Sequence, residues 1–323
     1  MRDHGGDLDR AMREHGAGDW LDLSTGINPV PYPVPDLAPR AFTALPTRAD
    51  MAALTDAARA AYGATKGTAC TPLAGAQAAI QLVPRLTTPG TARVVTPTYN
   101  EHAAALRTQG WQVEEVGSLD ALKGAALAVV VNPNNPDGRA WTPEALVDLA
   151  TTTGLLVVDE SFADPHPDLS LIPHLATLPG NTLVLRSFGK FYGLAGLRLG
   201  FALGAPDLID GIAALAGPWN ISGPAIATGT AALQDTDWHA NTCARLLTDA
   251  ARLDTLAATR GWQFVGGTPL FRTYDTGNAQ AAQERLAHHH VWSRVFPYSE
   301  SWLRLGLPGT EAQWLQLESA LRG

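Results

Sequence analysis

The sequence predicts an α/β fold: a mostly parallel central sheet with helices on both faces, plus a smaller α+β domain. Three observations predict it. Between about residues 69 and 203, short apolar runs alternate with helical stretches, the pattern of parallel strands joined through crossover helices. A polar motif follows run after run, and in such sheets ligands bind at the carboxyl ends of the strands. After about residue 235 the alternation gives way to helical stretches with shorter strand candidates.

The elements follow in order. Residues 1–45 are polar and proline-rich, with Asn28-Pro29, Pro31, Pro33 and Pro35. They read as an extended arm with turns that contributes to the small domain and the active site. Residues 49–62 have alanine-rich helical character. Leu73-Ala74-Gly75-Ala76-Gln77 stands between a short strand and a helix. The apolar runs are Ala92–Val95, Leu127–Val131, Leu155–Val158, Leu183–Leu185 and Leu199–Leu203. Thr96-Pro97-Thr98-Tyr99 follows the first, and Asn132-Pro133-Asn134-Asn135-Pro136-Asp137-Gly138 the second. Asp159-Glu160 follows the third, and Arg186-Ser187-Phe188-Gly189-Lys190 the fourth. These elements make a large domain over residues 46–234. Helices around 243–260 and 311–322, with strands at Gln263–Val265, Leu270–Arg272 and Trp302–Leu305, make a small domain over 235–323.

Composition narrows the function classes. The chain has 323 residues, 46% hydrophobic and 17% charged, the balance of a globular enzyme. A net charge of −8 offers no basic surface for nucleic acid or anionic membrane. No apolar run is long enough to span a bilayer, and the N-terminus lacks the apolar core of a signal peptide. Cys70 and Cys243 form neither a disulfide framework nor a metal cluster, so a cytoplasmic protein is expected. His288-His289-His290 reads as surface, since adjacent histidines point different ways and no cysteine or carboxylate cluster accompanies them. No metal is expected.

The chemistry-bearing residues sit in the polar motifs. The only lysines are Lys66, Lys123 and Lys190. Lys190 lies among apolar residues and glycines, where desolvation lowers an amine's pKa and frees it for Schiff-base chemistry. Asp159 ends a strand and can face a cofactor; alone, it reads equally as a turn cap. Asn135 lies in a proline-rich turn that Gly138 lets reverse. The backbone around Gly75 and Ala76 can meet an anion, with Ser187 and Arg198 adding a hydroxyl and a guanidinium. Tyr99 can stack on a ring or serve as a core aromatic.

Together these motifs resemble the fold-type I pyridoxal-phosphate (PLP) enzymes, the aspartate aminotransferase superfamily. Ser187-X-X-Lys190 with Arg198, Asn135-Pro136-X-Gly138 and Asp159-Glu160 stand in that family's order. The resemblance implies PLP as cofactor, bonded to Lys190. Asp159 would pair with the pyridinium nitrogen, Asn135 would donate to the phenolate oxygen, and Tyr99 would stack on the ring. Gly75, Ala76, Ser187 and Arg198 would hold the phosphate. Arg304 would bind the substrate carboxylate in a bidentate pair. A homodimer is also implied.

Within the superfamily the chain is similar to the histidinol-phosphate aminotransferase branch. More narrowly it is similar to the L-threonine O-3-phosphate decarboxylases of cobalamin biosynthesis. His4-Gly5-Gly6-Asp7-Leu8, Leu23-Ser24-Thr25-Gly26-Ile27-Asn28-Pro29 and Asp159-Glu160-Ser161-Phe162-Ala163-Asp164 carry that likeness. Phe162 stands where most aminotransferases have a tyrosine whose hydroxyl donates to the phenolate oxygen. Asp7 and Gly26 depart from the asparagines usual at their positions. Leu45-Pro46 stands where many relatives carry a tyrosine-proline pair that reaches the partner's cofactor phosphate. The resemblance implies a phosphorylated amino acid substrate, with His4, Asn28 and Arg294 near its phosphate. Residue physics leaves decarboxylation and transamination of histidinol phosphate or another amino acid both open. A non-catalytic PLP-fold binding module has no need of both Lys190 and Asp159.

Overall fold

The structure, a computed structural model, describes residues 4–322. It divides into two compact units. The larger comprises residues 32–135 and 139–238, and the smaller residues 4–31, 136–138 and 239–322.

The larger unit is built on a seven-stranded sheet. Its order is Ala69–Leu73, Gly200–Gly204, Thr182–Ser187, Leu155–Asp159, Leu127–Val131, Thr91–Val95, Gln112–Val116. Gly200–Gly204 pairs antiparallel with both neighbours, and the other pairings are parallel. Leu127–Val131 and Leu155–Asp159 are buried at every position, which is why they read as unbroken apolar runs rather than alternating ones. Leu106, Val129, Val157, Leu183 and Ile209 belong to one buried cluster against this sheet. Gln112–Val116 lies at the edge and carries Glu114 and Glu115 outward, charges that discourage pairing with another strand.

The smaller unit holds a four-stranded antiparallel sheet, ordered Arg294–Phe296, Ser299–Leu305, Phe271–Asp275, Gln263–Thr268. The helices Ala279–Ala287 and Glu311–Arg322 accompany it. Leu21–Asp22 pairs parallel with Val291–Trp292.

The N-terminal segment differs from the extended arm expected for it. Leu8–His15 is a helix, capped by Asp7, whose side chain accepts from the backbone N–H of Arg10. Ala11 is its buried residue and packs in a cluster with Ala287 and Trp292. Prolines begin only at Pro29, so nothing in 7–15 breaks a helix, and an aspartate N-cap favours one. The units part at 31/32 and 238/239, where the sequence suggested 45/46 and 234/235. The helix Arg40–Thr43 contacts Gly223–Gln234, so residues 32–45 pack with the larger unit. Within the helix Thr236–Thr259 no break in periodicity marks the second boundary.

Candidate active site

A cavity of about 380 Å³ opens in the larger unit, a size suited to a small-molecule cofactor. All nine residues expected to hold the cofactor line it: Gly75, Ala76, Tyr99, Asn135, Asp159, Phe162, Ser187, Lys190 and Arg198. The topology accounts for this. The strands ending at Leu73, Val95, Val131, Asp159 and Ser187 all run one way, so the loops that follow them emerge at one edge. Gly200–Gly204 runs the other way, so Arg198, just before it, comes to the same edge.

Asp159 is buried at the end of its strand. His102 Nε2 lies 2.8 Å from its Oδ2. Ser161 donates to Oδ1 from its backbone N–H at 3.0 Å and from its hydroxyl at 2.5 Å. Burial on its own would push this carboxyl up; the His102 and Ser161 hydrogen bonds outweigh it and hold the group below the usual carboxylate value. The site thus keeps a buried negative charge facing the cavity, suited to pairing with a cation in a bound ligand.

The next residue behaves oppositely. Glu160 accepts from Ser170 Oγ at 2.7 Å, the Leu171 N–H at 2.7 Å and Arg186 at 3.0 Å. Arg186 also pairs with Asp164 at 3.0 Å and lies over the Tyr62 ring. Burial raises the Glu160 carboxyl despite these partners.

Lys190 lies half-buried in the short helix Phe188–Phe191, its Nζ 5.9 Å from the centre of the Phe162 ring. Tyr99 donates to Gln77 Oε1 at 3.1 Å, and Gln77 donates to Glu101 at 3.2 Å. The Tyr99 and Asn135 loops are tied together. Thr98 Oγ1 donates to Asn134 Oδ1 at 2.6 Å, and Asn134 donates back to the Pro97 carbonyl at 2.9 Å.

Gly75 has φ +82°, and a Cβ there would lie 2.6 Å from Arg198 Nη2. Arg198 is itself left-handed, at φ 56° and ψ 59°, and donates to the Ala195 carbonyl at 2.8 Å. A non-glycine residue held in that region costs about 1–3 kcal/mol and signals a position fixed for a reason. The glycine's missing Cβ leaves a cradle beside a guanidinium, which fits a phosphate group.

The residues expected to meet the substrate lie in the smaller unit. Arg304 is buried, and its Nη2 donates to the Ser24 carbonyl at 2.7 Å. Gly6 N–H donates to Ser24 Oγ at 2.7 Å, and a Cβ on Gly5 would collide with the Ser24 carbonyl oxygen. The opening His4-Gly5-Gly6 motif and the Ser24 segment therefore meet beside Arg304; His4 is exposed. Arg294 sits directly opposite Arg304 across the strand pair. Like charges facing one another across strands are destabilising. Burial, then Arg294, pushes the Arg304 guanidinium down to about 10, so it stays charged at neutral pH. Two facing cations form a natural grip for an anionic ligand. Asn28 is buried, and its Oδ1 accepts from Arg245 at 2.6 Å and from the Val30 N–H at 3.1 Å.

Sequence reasoning missed His102, Ser161, Gln77 and Glu101. His102 lies in the first turn of the helix Glu101–Thr108, which follows the Tyr99 loop, and its place just after that polar motif was the available signal. Gln77 and Glu101 line the cavity and form a hydrogen-bonded chain with Tyr99, and nothing in their sequence neighbours announces it.

Comparison with known proteins places this arrangement in context. The chain is 42% identical over its whole length to threonine-phosphate decarboxylase of Pseudomonas aeruginosa, covering 98% of that protein. It is 42% identical over 98% of its length to threonine-phosphate decarboxylase of a Sinorhizobium species, covering 97% of it. Its fold matches the crystal structure of histidinol-phosphate aminotransferase from Sinorhizobium meliloti in complex with pyridoxal-5'-phosphate. That match has a TM-score of 0.81 and 22% identity, and covers 97% of this chain and 94% of that one. Residues 35–321 match the model of the class I and II aminotransferases, and this chain belongs to that family.

Proposed function

We propose that this chain is a PLP-dependent decarboxylase. It converts L-threonine O-3-phosphate to (R)-1-amino-2-propanol O-2-phosphate and CO2 in cobalamin biosynthesis. The full-length identity to two proteins named threonine-phosphate decarboxylase carries the reading.

The residues of the cavity fit the cofactor. Lys190 would hold it through Nζ. Asp159, kept ionised by His102 and Ser161, would hold a proton at the ring nitrogen. Asn135 would donate to the ring oxygen, and Tyr99 would cover the ring. Gly75, Ala76, Ser187 and Arg198 would hold its phosphate. When bound, PLP supplies an electron sink for bond breaking at the amino-bearing carbon.

The chain's own residues decide which bond breaks. Arg304 grips the substrate carboxylate in a bidentate pair. Arg294, with His4 and Asn28, takes the phosphate. Fixing both anions sets the rotation about the amino-bearing carbon and aligns the bond to the carboxylate for cleavage, so that CO2 leaves. Lys190 Nζ then returns a proton to that carbon. The protein acts as a cytoplasmic homodimer. Among the described residues no helix is long and apolar enough to cross a membrane, and Cys70 and Cys243 are not joined in a disulfide.

The test is a single turnover of PLP-loaded protein with L-threonine O-3-phosphate and no 2-oxo acid. Release of CO2 with the starting cofactor spectrum restored is expected. Conversion of the cofactor to its pyridoxamine form without CO2 would make the chain an aminotransferase and overturn the proposal.

A further inference from the structure

We propose that His15, Glu284 and His288 form a binding site for a zinc-class divalent metal ion, one that staples two helices of the smaller unit. The three ligand atoms lie within 4.8 Å of one another. His15 ends the helix Leu8–His15, Glu284 lies in the helix Ala279–Ala287, and His288 caps that helix. Glu284 and His288 are thus one helical turn apart on one face, the spacing by which helices present paired ligands to a metal. His15 comes from the far end of the sequence.

The distances favour an ion over direct pairing. His15 Nδ1 and His288 Nε2 each lie 3.6 Å from the same carboxylate atom, Glu284 Oε1. That is beyond the range of a hydrogen bond. Two ligands of a tetrahedral zinc ion, each bound at about 2.1 Å, stand about 3.4 Å apart. The observed spacing therefore leaves room for an ion among the three atoms.

The site is also braced. The His15 ring packs against Trp20 and Trp292, each 6.1 Å away between ring centres. Beneath it, Ala11 of one helix and Ala287 of the other share a buried cluster with Trp292. His15 is held on one side while Glu284 and His288 face solvent, so an ion can enter and a water can complete its coordination. Two imidazoles and a carboxylate select zinc, cobalt or nickel over magnesium or calcium, which prefer oxygen ligands alone.

The ion would tie Leu8–His15 to Ala279–Ala287. The sequence suggested a plain surface for the histidine run; His288 is indeed exposed, but the fold brings it a partner from 273 positions earlier.

The test uses untagged, PLP-loaded protein titrated with Co2+ and then Zn2+. One equivalent of Co2+ should develop the visible absorption of a four-coordinate site, and Zn2+ should bleach it. His288→Ala and Glu284→Gln should each weaken binding at least about tenfold, the loss that even an outer partner of a ligand brings. His289→Ala should leave it unchanged. Zn2+ should raise the melting temperature of the parent protein and not of His288→Ala. His288 is 68% exposed, so its replacement leaves the fold intact. Binding of equal strength in His288→Ala, or no saturable first equivalent in the parent, would overturn the proposal.

Discussion

His102 Nε2 lies 2.8 Å from Asp159 Oδ2, with both side chains buried. After burial, this contact is the largest influence on the charge of the carboxylate lining the cavity, and it opposes burial. Without it only Ser161 opposes burial, and the Asp159 carboxyl is expected to rise. His102→Ala should therefore lower kcat/KM by about 10–100-fold, the equivalent of a charged hydrogen bond of about 1.5–3 kcal/mol. The sign of the pH effect follows. A carboxylate whose folded pKa is depressed adds stability above its ordinary value and loses it as pH falls through the lowered one. In His102→Ala both the acid limb of activity and the acid unfolding midpoint should move to higher pH. A pH–rate profile and an acid titration followed by circular dichroism check both.

Gly5→Ala is expected to act on Arg304 without touching it. The new Cβ would run into the Ser24 carbonyl that Arg304 uses as its acceptor. Because small displacements of a positioning group cost heavily, KM for threonine phosphate should rise about 10–100-fold while cofactor loading stays normal. Steady-state kinetics beside a cofactor titration separates the two effects.

Gly75→Ala should do the reverse. Its Cβ would sit 2.6 Å from Arg198 Nη2, at a backbone φ of +82°. Displacing that guanidinium would remove the charge-assisted contact proposed for the cofactor phosphate, worth about 1.5–3 kcal/mol. PLP affinity should fall about 10–100-fold, read from absorbance as PLP is titrated into the stripped protein.

Phe162→Tyr adds a hydroxyl to a buried ring that faces the Lys190 amine. A donor at this place stabilises the deprotonated form of the lysine-bound cofactor. The visible band of the loaded enzyme should titrate about one pH unit lower, the effect of one hydrogen bond of about 1.4 kcal/mol. A pH titration of that band, unchanged or moved upward, would count against the reading of Phe162.

The strands and the cavity residues were legible because the cavity residues lie at strand ends or in the polar segments beside them, where apolar runs stop. Asp159 closes its strand, and Lys190 follows three residues after the next one ends at Ser187. The helix Leu8–His15 was less so, although it is amphipathic, because it is only eight residues long and mostly polar and the prolines that follow dominate the local composition. The pairing of Arg294 with Arg304 is a matter of register, set by the turn between Phe296 and Ser299, and adjacent charges in sequence do not reveal it. His102 illustrates the general limit: a residue that serves another residue is visible only once both have been placed.

Asp159 and Glu160 are neighbours with opposite surroundings, the first facing the cavity and the second locked to Arg186, Ser170 and Leu171. A one-residue slip of the strand Leu155–Asp159 against Leu127–Val131 would exchange their faces. Glu160 would then leave Ser170 and the Leu171 N–H, and Arg186 would lose one of its two acids, keeping Asp164. Breaking a buried ion pair costs about 3–5 kcal/mol. Register and site are thus coupled: a misaligned sheet would be penalised at the same strand end that brings Asp159 to the cavity.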